Sequence, residues 1–483
     1  MSGVVAFEDS RHDSLYTVLP GADWHVWPLV RWPLVTGAVD AELATHAPVH
    51  TGTPRIFDEI RSAAAGLAVG RGSLGRMPAH RRFLFVTGGV TVHPTPEGER
   101  NWLADAYLAA APEESVLLTD AIRPRGRTRR TAFPATFTTS AALVGGELAD
   151  RLPRGRRADV DAARRAVDDL VDAFEPFLPV PIPQEARGIA VQRLLRADRR
   201  HRTLRRVTER LDPDVVLMED ASYGSRSPSV EWMRRQGITV VEPQHGWIGG
   251  AHGAYNFGAA MWDDELRDSL PSELLLFGEF WGRDLAHPAR PVIIGKPHLE
   301  TAAAKIREKG QRSRRAIVVS SVYRRESMMD LTLRVRDVLP SDWTVAFRPH
   351  PSERATVEEL YPRLAGAHRV EFDRIADVYE SLGDARIVVG TASTVLYEAL
   401  RFDVDVLVMQ SPLTAMYAPA DVFGPSISDD SQLSRAIASA VDGSRRTHAV
   451  NAASIWAPRA SENAAAYLAS AGARSDSTSA TDG

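Results

Sequence analysis

The chain has 483 residues, of which 44% are hydrophobic and 25% charged, with a formal net charge of −4 and no cysteine. That length exceeds what one hydrophobic core supports, so two or three domains are expected. The charge argues against a dedicated nucleic-acid binder, and the missing thiols exclude disulfides, a cysteine nucleophile and cysteine-based zinc sites. No uninterrupted apolar run approaches the roughly 20 residues of a bilayer-spanning helix. The start, MSGVVAFEDSRHD, lacks the basic and apolar regions of a secretory signal. A cytoplasmic enzyme is the simplest expectation.

In chain order, the first eighty residues are the hardest to read. Trp24, Trp27 and Trp32 lie in ADWHVWPLVRWPL, where the prolines predict a broken helix and the aromatics a packed core. Residues 82–86 (RFLFV) read as a buried strand entering the Gly88-Gly89 turn, 99–110 as a helix and 115–118 as a strand. Residues 159–210 are helix-rich, interrupted by the proline-rich segment 176–183. Strands follow at 214–218 and 238–241, with a helix between them for which Ser227 reads as the N-cap and Pro228 as the first helical residue. Further strand-like runs lie at 274–277, 292–294, 316–320, 343–347, 386–390 and 404–409. Apolar strands alternating with helices predict parallel sheets covered on both faces. The expected architecture is α/β: two doubly wound Rossmann-like domains facing across a cleft, spanning 1–296 and 297–470, with a disordered tail at 471–483. Basic runs at 123–130, 154–157 and 196–206 read as solvated faces. The alternative is an electropositive surface for an anionic acceptor or the inner membrane leaflet.

Chemistry concentrates at four strand ends, where ligands bind in open α/β sheets. Glu219-Asp220 offers paired acids, one of which can serve as a general base. The loop PQHGWIGGAHGAYNFG supplies Gln244, His245, Gly246, His252 and Tyr255 on the acceptor side, with two imidazoles that titrate near neutrality. Arg348-Pro349-His350-Pro351 holds His350 in an extended backbone, where it can neutralise a departing phosphate. Thr391, Ser393, Thr394 and Glu398 lie where a strand turns into a helix, a pattern suited to phosphate and ribose. The Ser and Thr hydroxyls can equally cap that helix. Asp403-Val404-Asp405 has no nearby ligand partner and reads as structural. Walker A, GxSxG and HExxH motifs are absent.

QHG…H…Y, LLLFGEFW, IGKPHLE, the strand-end His-Pro and G-T-x-S-T…E-A, spread over 214–409, resemble bacterial capsular and surface polysaccharide biosynthesis proteins. These are glycosyltransferases of the GT-B fold, distantly similar to sialyl-, polysialyl- and Kdo-transferases and to CDP-glycerol glycerophosphotransferases. The resemblance implies transfer from a nucleotide sugar of CMP, CDP or UDP type to a glycan or glycolipid. It implies no metal and no cofactor beyond that co-substrate. By resemblance Asp220, Glu219 or His245 acts as base, while His350, Arg348 and Ser393-Thr394 meet the donor phosphate and Glu398 the ribose. Peripheral association with the inner membrane fits this setting. A polyol-phosphate transferase, a UDP-sugar 2-epimerase-like enzyme and a non-catalytic nucleotide-sugar binder are the alternatives.

Overall fold

The computed structural model describes residues 2–42, 77–89, 91–95, 98–120, 133, 135–139, 156–307, 312–321, 325–402, 404–444 and 452–471. The basic run 123–130, Asp403 and the tail after residue 471 lie outside them. The chain divides into two compact units, residues 1–295 with 460–483 and residues 296–459.

Among the described residues the first unit holds β1 (Phe83–Thr87), β2 (Val92–Thr95), β3 (Gly98–Asn101), β4 (Ser115–Thr119), β5 (Thr136–Thr138), β6 (Val215–Met218), β7 (Thr239–Pro243), β8 (Glu273–Leu276) and β9 (Arg290–Ile293). All but the β2–β3 hairpin join one parallel sheet, ordered β5-β4-β1-β6-β7-β8-β9. Period-2 alternation explains the unbroken apolar runs. Leu84 and Val86 pack with Leu204, Val207 and Leu211 of the helix Gln184–Leu211. Phe83 and Phe85 point the other way, onto Tyr107, Tyr467 and Leu468. Each such side chain contributes roughly 1.5–3 kcal/mol on burial.

The second unit repeats the plan with β10 (Arg315–Val319), β11 (Thr344–Arg348), β12 (Val370–Phe372), β13 (Ile387–Gly390) and β14 (Asp405–Val408), ordered β12-β11-β10-β13-β14 and parallel throughout. Each unit is therefore a doubly wound α/β layer. In each, the chain leaves the first strand in one direction and later returns to its other side, at β1/β6 and at β10/β13. Connections diverge at such a switch point and open a crevice beyond the strand ends.

Four expectations need correction. The prolines after Trp27 do not break the helix, which runs Val26–Glu42 through Pro33. Proline there removes the bond to the Leu29 carbonyl, and Arg193 Nη1 supplies that bond instead at 3.2 Å. The helix expected at 99–110 begins only at Asp105. Before it, Asn101 Oδ1 accepts the amides of Leu103 and Ala104, each at 3.0 Å, and turns the chain out of β3. Ser227 opens the helix Ser227–Arg235, but its hydroxyl is buried and caps nothing. The last described helix, Ala460–Ala471, belongs to the first unit rather than the second.

That helix docks through Tyr467, whose hydroxyl donates to Glu273 Oε2 at 2.7 Å, and through Asn463, whose amide donates to the Ile294 carbonyl at 3.0 Å. Tyr467→Phe removes a bond to a carboxylate and is expected to cost the first unit about 1.5–3 kcal/mol in urea unfolding. An unchanged midpoint would show that this contact does not hold the helix.

Candidate functional site

At the switch point of the first unit, β1 runs into Thr87-Gly88 and β6 into Glu219-Asp220. Glu219 is fully buried. Its Oε2 accepts from the Thr87 hydroxyl and, at 2.7 Å, from the Gly88 amide, while its Oε1 is buried with no hydrogen-bond partner. Asp220 follows at φ 59°, ψ 30°, the left-handed region that few residues other than glycine occupy. Arg226 Nη1 holds this turn by donating to the Glu219 carbonyl at 3.1 Å. From it Asp220 Oδ1 meets His245 Nε2 at 3.1 Å, and both side chains remain partly exposed. His245 Nδ1 is buried and has no hydrogen-bond partner.

The surroundings keep other ionisable groups in fixed states. Asp120, at the end of β4, pairs with Arg226 at 2.9 Å and Arg200 at 2.6 Å. Burial works against its ionisation, but the two guanidinium charges outweigh that and hold its carboxyl far below the usual range. Arg200 of the basic run 196–206 is thus drawn inward. Glu242 of β7 is fully buried and accepts from the Ser222 hydroxyl, the Ser222 amide at 2.8 Å and the Tyr255 hydroxyl at 2.7 Å. Desolvation raises its pKa, against the pull of His245 and of these bonds. His287 Nδ1 accepts the Ala289 amide at 2.9 Å, which assigns the proton to Nε2 and makes it the donor to Ser222 Oγ at 3.0 Å. His252 is arranged likewise, with Nδ1 accepting the Ala254 amide and Nε2 donating to the Tyr223 hydroxyl, each at 3.2 Å. Burial pushes both imidazoles down to about 3, so they act as neutral donors.

Of the acceptor-side residues expected from sequence, only His245 faces the acids directly. Gln244 spends its amide on the backbone, accepting from Phe277 at 2.8 Å and donating to the Gly246 carbonyl at 2.9 Å. Gly246 borders open space. Tyr255 is buried and His252 half-buried, and both act as supports.

At the second switch point, Ser393 caps the helix Thr394–Ala399 by accepting the Val395 amide at 3.2 Å, and Thr391 is buried behind it. Glu398, also buried, pairs with Lys296 Nζ and accepts from the Tyr379 hydroxyl at 3.3 Å. Arg348 is committed to the segment after β12, donating to Asp373 at 2.7 Å and Ser381 at 2.9 Å. His350 is exposed at the end of β11. Its carbonyl accepts the amide of Glu353, a buried carboxylate bonded to Ser320, Tyr361 and Arg325.

Sequence reasoning missed several of these groups. Lys296 carried a signal, as one of three lysines in an arginine-rich chain. Glu242 carried one too, as an acid inside the apolar run TVVEP. Trp32, which stacks on His252 at 5.5 Å and 9°, carried none, because the two lie far apart in sequence. Among the described residues no group of three or more His, Asp or Glu side chains is placed to hold a metal, and no helix is long and apolar enough to cross a membrane.

The chain matches no protein-family pattern and no curated protein sequence. Similar solved structures include a UDP-GlcNAc 2-epimerase from Methanocaldococcus jannaschii, at 11% identity over 81% of this chain and 99% of that one, with a TM-score of 0.45. The UDP-GlcNAc 2-epimerase of Neisseria meningitidis bound to UDP-GlcNAc shows 11% identity, coverages of 82% and 100% and a TM-score of 0.45. A glycosyltransferase from Rickettsia africae ESF-5 shows 11%, 81% and 94%, with a TM-score of 0.37.

The two neutral histidines carry a pH signature. In the unfolded chain each takes up a proton below the ordinary value of 6.5, whereas in the folded state each stays neutral down to about 3. Their contribution is present above 6.5 and is lost as pH falls from there toward 3. At about pH 5 the loss is about 2 kcal/mol for each histidine. The raised pKa of Glu242 acts with the opposite sign and offsets part of it. His287→Asn is expected to lose about 2 kcal/mol less than the wild type between about pH 7 and 5 in denaturant titrations. Identical pH dependence would show that His287 protonates in the folded state.

Proposed function

We propose that the chain is a nucleotide-sugar-dependent glycosyltransferase whose acceptor is a glycan or glycolipid hydroxyl. The observation that carries this reading is the Asp220–His245 pair, 3.1 Å apart at the first switch point and partly open to solvent. Asp220 takes the proton of the acceptor hydroxyl, whose oxygen attacks the anomeric carbon. The bond from that carbon to the donor phosphate breaks, and the nucleotide leaves with the electron pair. His245 donates through Nε2 to Asp220, which orients the carboxylate toward the acceptor. Glu219, sealed beneath by Thr87 and Gly88, anchors the turn rather than touching the acceptor.

The second unit binds the donor in this reading. His350 stands at the end of β11, the neighbour of β10, and in this reading meets the departing phosphate. Thr394 lies at the adjoining end of β13, where Ser393 already caps the helix. Glu398, fixed by Lys296 and Tyr379, presents a carboxylate for ribose hydroxyls.

A thermal-shift panel of CMP, CDP, UDP, GDP and dTDP tests donor binding. The correct nucleotide at about 100 times its Kd adds about 2.7 kcal/mol to native stability and raises Tm. His350→Ala is expected to keep the fold and lose most of that shift. Mass spectrometry of products with the matching nucleotide sugar then separates chemistries. A glycosylated acceptor supports the proposal, whereas an epimerised but intact donor, a transferred polyol phosphate, or binding without turnover overturns it.

A further inference from the structure

The first forty residues, the hardest to read in sequence, pack against the turn that follows Asp220 and the loop that follows His245. On one side the turn after Asp220 reaches Gly224, at φ 76°, where a Cβ would fall 1.9 Å from the Pro28 carbonyl oxygen. The helix backbone thus presses on the turn that carries the acid, and Arg193 Nη1 ties the two together by donating to the carbonyls of Leu29 at 3.2 Å and Tyr223 at 3.3 Å. On the other side the loop bearing His245 closes at Gly258, where a Cβ would lie 2.5 Å from the Val5 carbonyl oxygen. The Gly258 amide donates to Glu8 Oε2 at 2.7 Å.

Between these ends sits a buried clamp. The Arg31 guanidinium pairs with Glu8 at 2.6 Å, donates to the carbonyls of Gly253 and, at 2.7 Å, Asn256, and covers the Phe257 ring at 4.2 Å. Trp27 Nε1 donates to the same carboxylate at 2.9 Å. The next residue, Trp32, lies flat on His252 and edge-on to Tyr223, with centroids 5.5 and 4.7 Å away. The Tyr223 ring in turn sits 5.7 Å from that of His245. A buried guanidinium this fully bonded would be a costly way to hold a loop with no required geometry.

We propose that the N-terminal segment is the positioning element of the Asp220–His245 pair, with Arg31 fixing the loop backbone and Trp32, through His252 and Tyr223, fixing the plane of the His245 ring. The inference rests on the base role proposed for that pair. Trp32 and Arg31 touch no substrate in this account and act only through the groups they hold.

The test compares Trp32→Leu with Trp32→Phe in the full chain. Trp32→Leu is expected to lower kcat about 10- to 100-fold while the KM for the nucleotide donor changes less than about twofold, and Trp32→Phe, which keeps a flat ring, to restore most of the rate. Wild-type kcat in a folded Trp32→Leu protein, or equal loss in the Leu and Phe variants, would overturn the assignment. Should Trp32→Leu not fold, Trp32→Met, a flexible unbranched apolar side chain without the ring, carries the same comparison. Two-bond 15N–1H correlations of His245 read the geometry without turnover. One tautomer, protonated at Nε2, is expected in the wild type and a mixture in the Leu variant. Identical spectra overturn the positioning role, whereas a chain with no transferase activity but these altered spectra overturns only the proposed function.

Discussion

One buried carboxylate organises the first unit. Glu219 ends β6, yet its bonds run to Thr87 and Gly88 at the end of β1, so it stitches the two strands at the point where their connections diverge. In many doubly wound sheets that position accepts an anionic ligand on free backbone amides. Here the protein supplies its own anion. The residue after Glu219 is Asp220, which takes a left-handed conformation and meets His245 at 3.1 Å.

The rest of the site is arranged so that few of its charges can vary. Asp120 is held ionised between two arginines, and His252 and His287 are held neutral by burial. Their bonds to Tyr223 and Ser222 use the proton that a neutral imidazole keeps. A buried polar network is stabilising only when its members are satisfied. Two atoms beside Asp220 have no hydrogen-bond partner: Oε1 of Glu219, which precedes it, and Nδ1 of the His245 ring whose Nε2 it meets.

Much of the fold was legible because parallel strands bury both faces and so read as unbroken apolar runs. β1, β4, β6 and most later strands follow those runs closely. What escaped were short edge elements such as β5 and β12, whose sequences are only half apolar, and the β2–β3 hairpin. The helix through Pro33 escaped because its missing bond is replaced by Arg193, some 160 residues on. At the site, the strand-end acids and histidine announced themselves by composition. Their supports did not, since Glu8, Arg31 and Trp32 resemble any packed N-terminal segment until the fold sets them against the loop.

The most direct measurement is turnover by the Asp220→Asn protein with its nucleotide-sugar donor and acceptor, followed by mass spectrometry. The substitution keeps size and tolerance of the left-handed turn but removes the base. A base role for Asp220 predicts a folded protein that binds nucleotide like the wild type and transfers sugar about 10²- to 10⁴-fold more slowly. Transfer at the wild-type rate would contradict it.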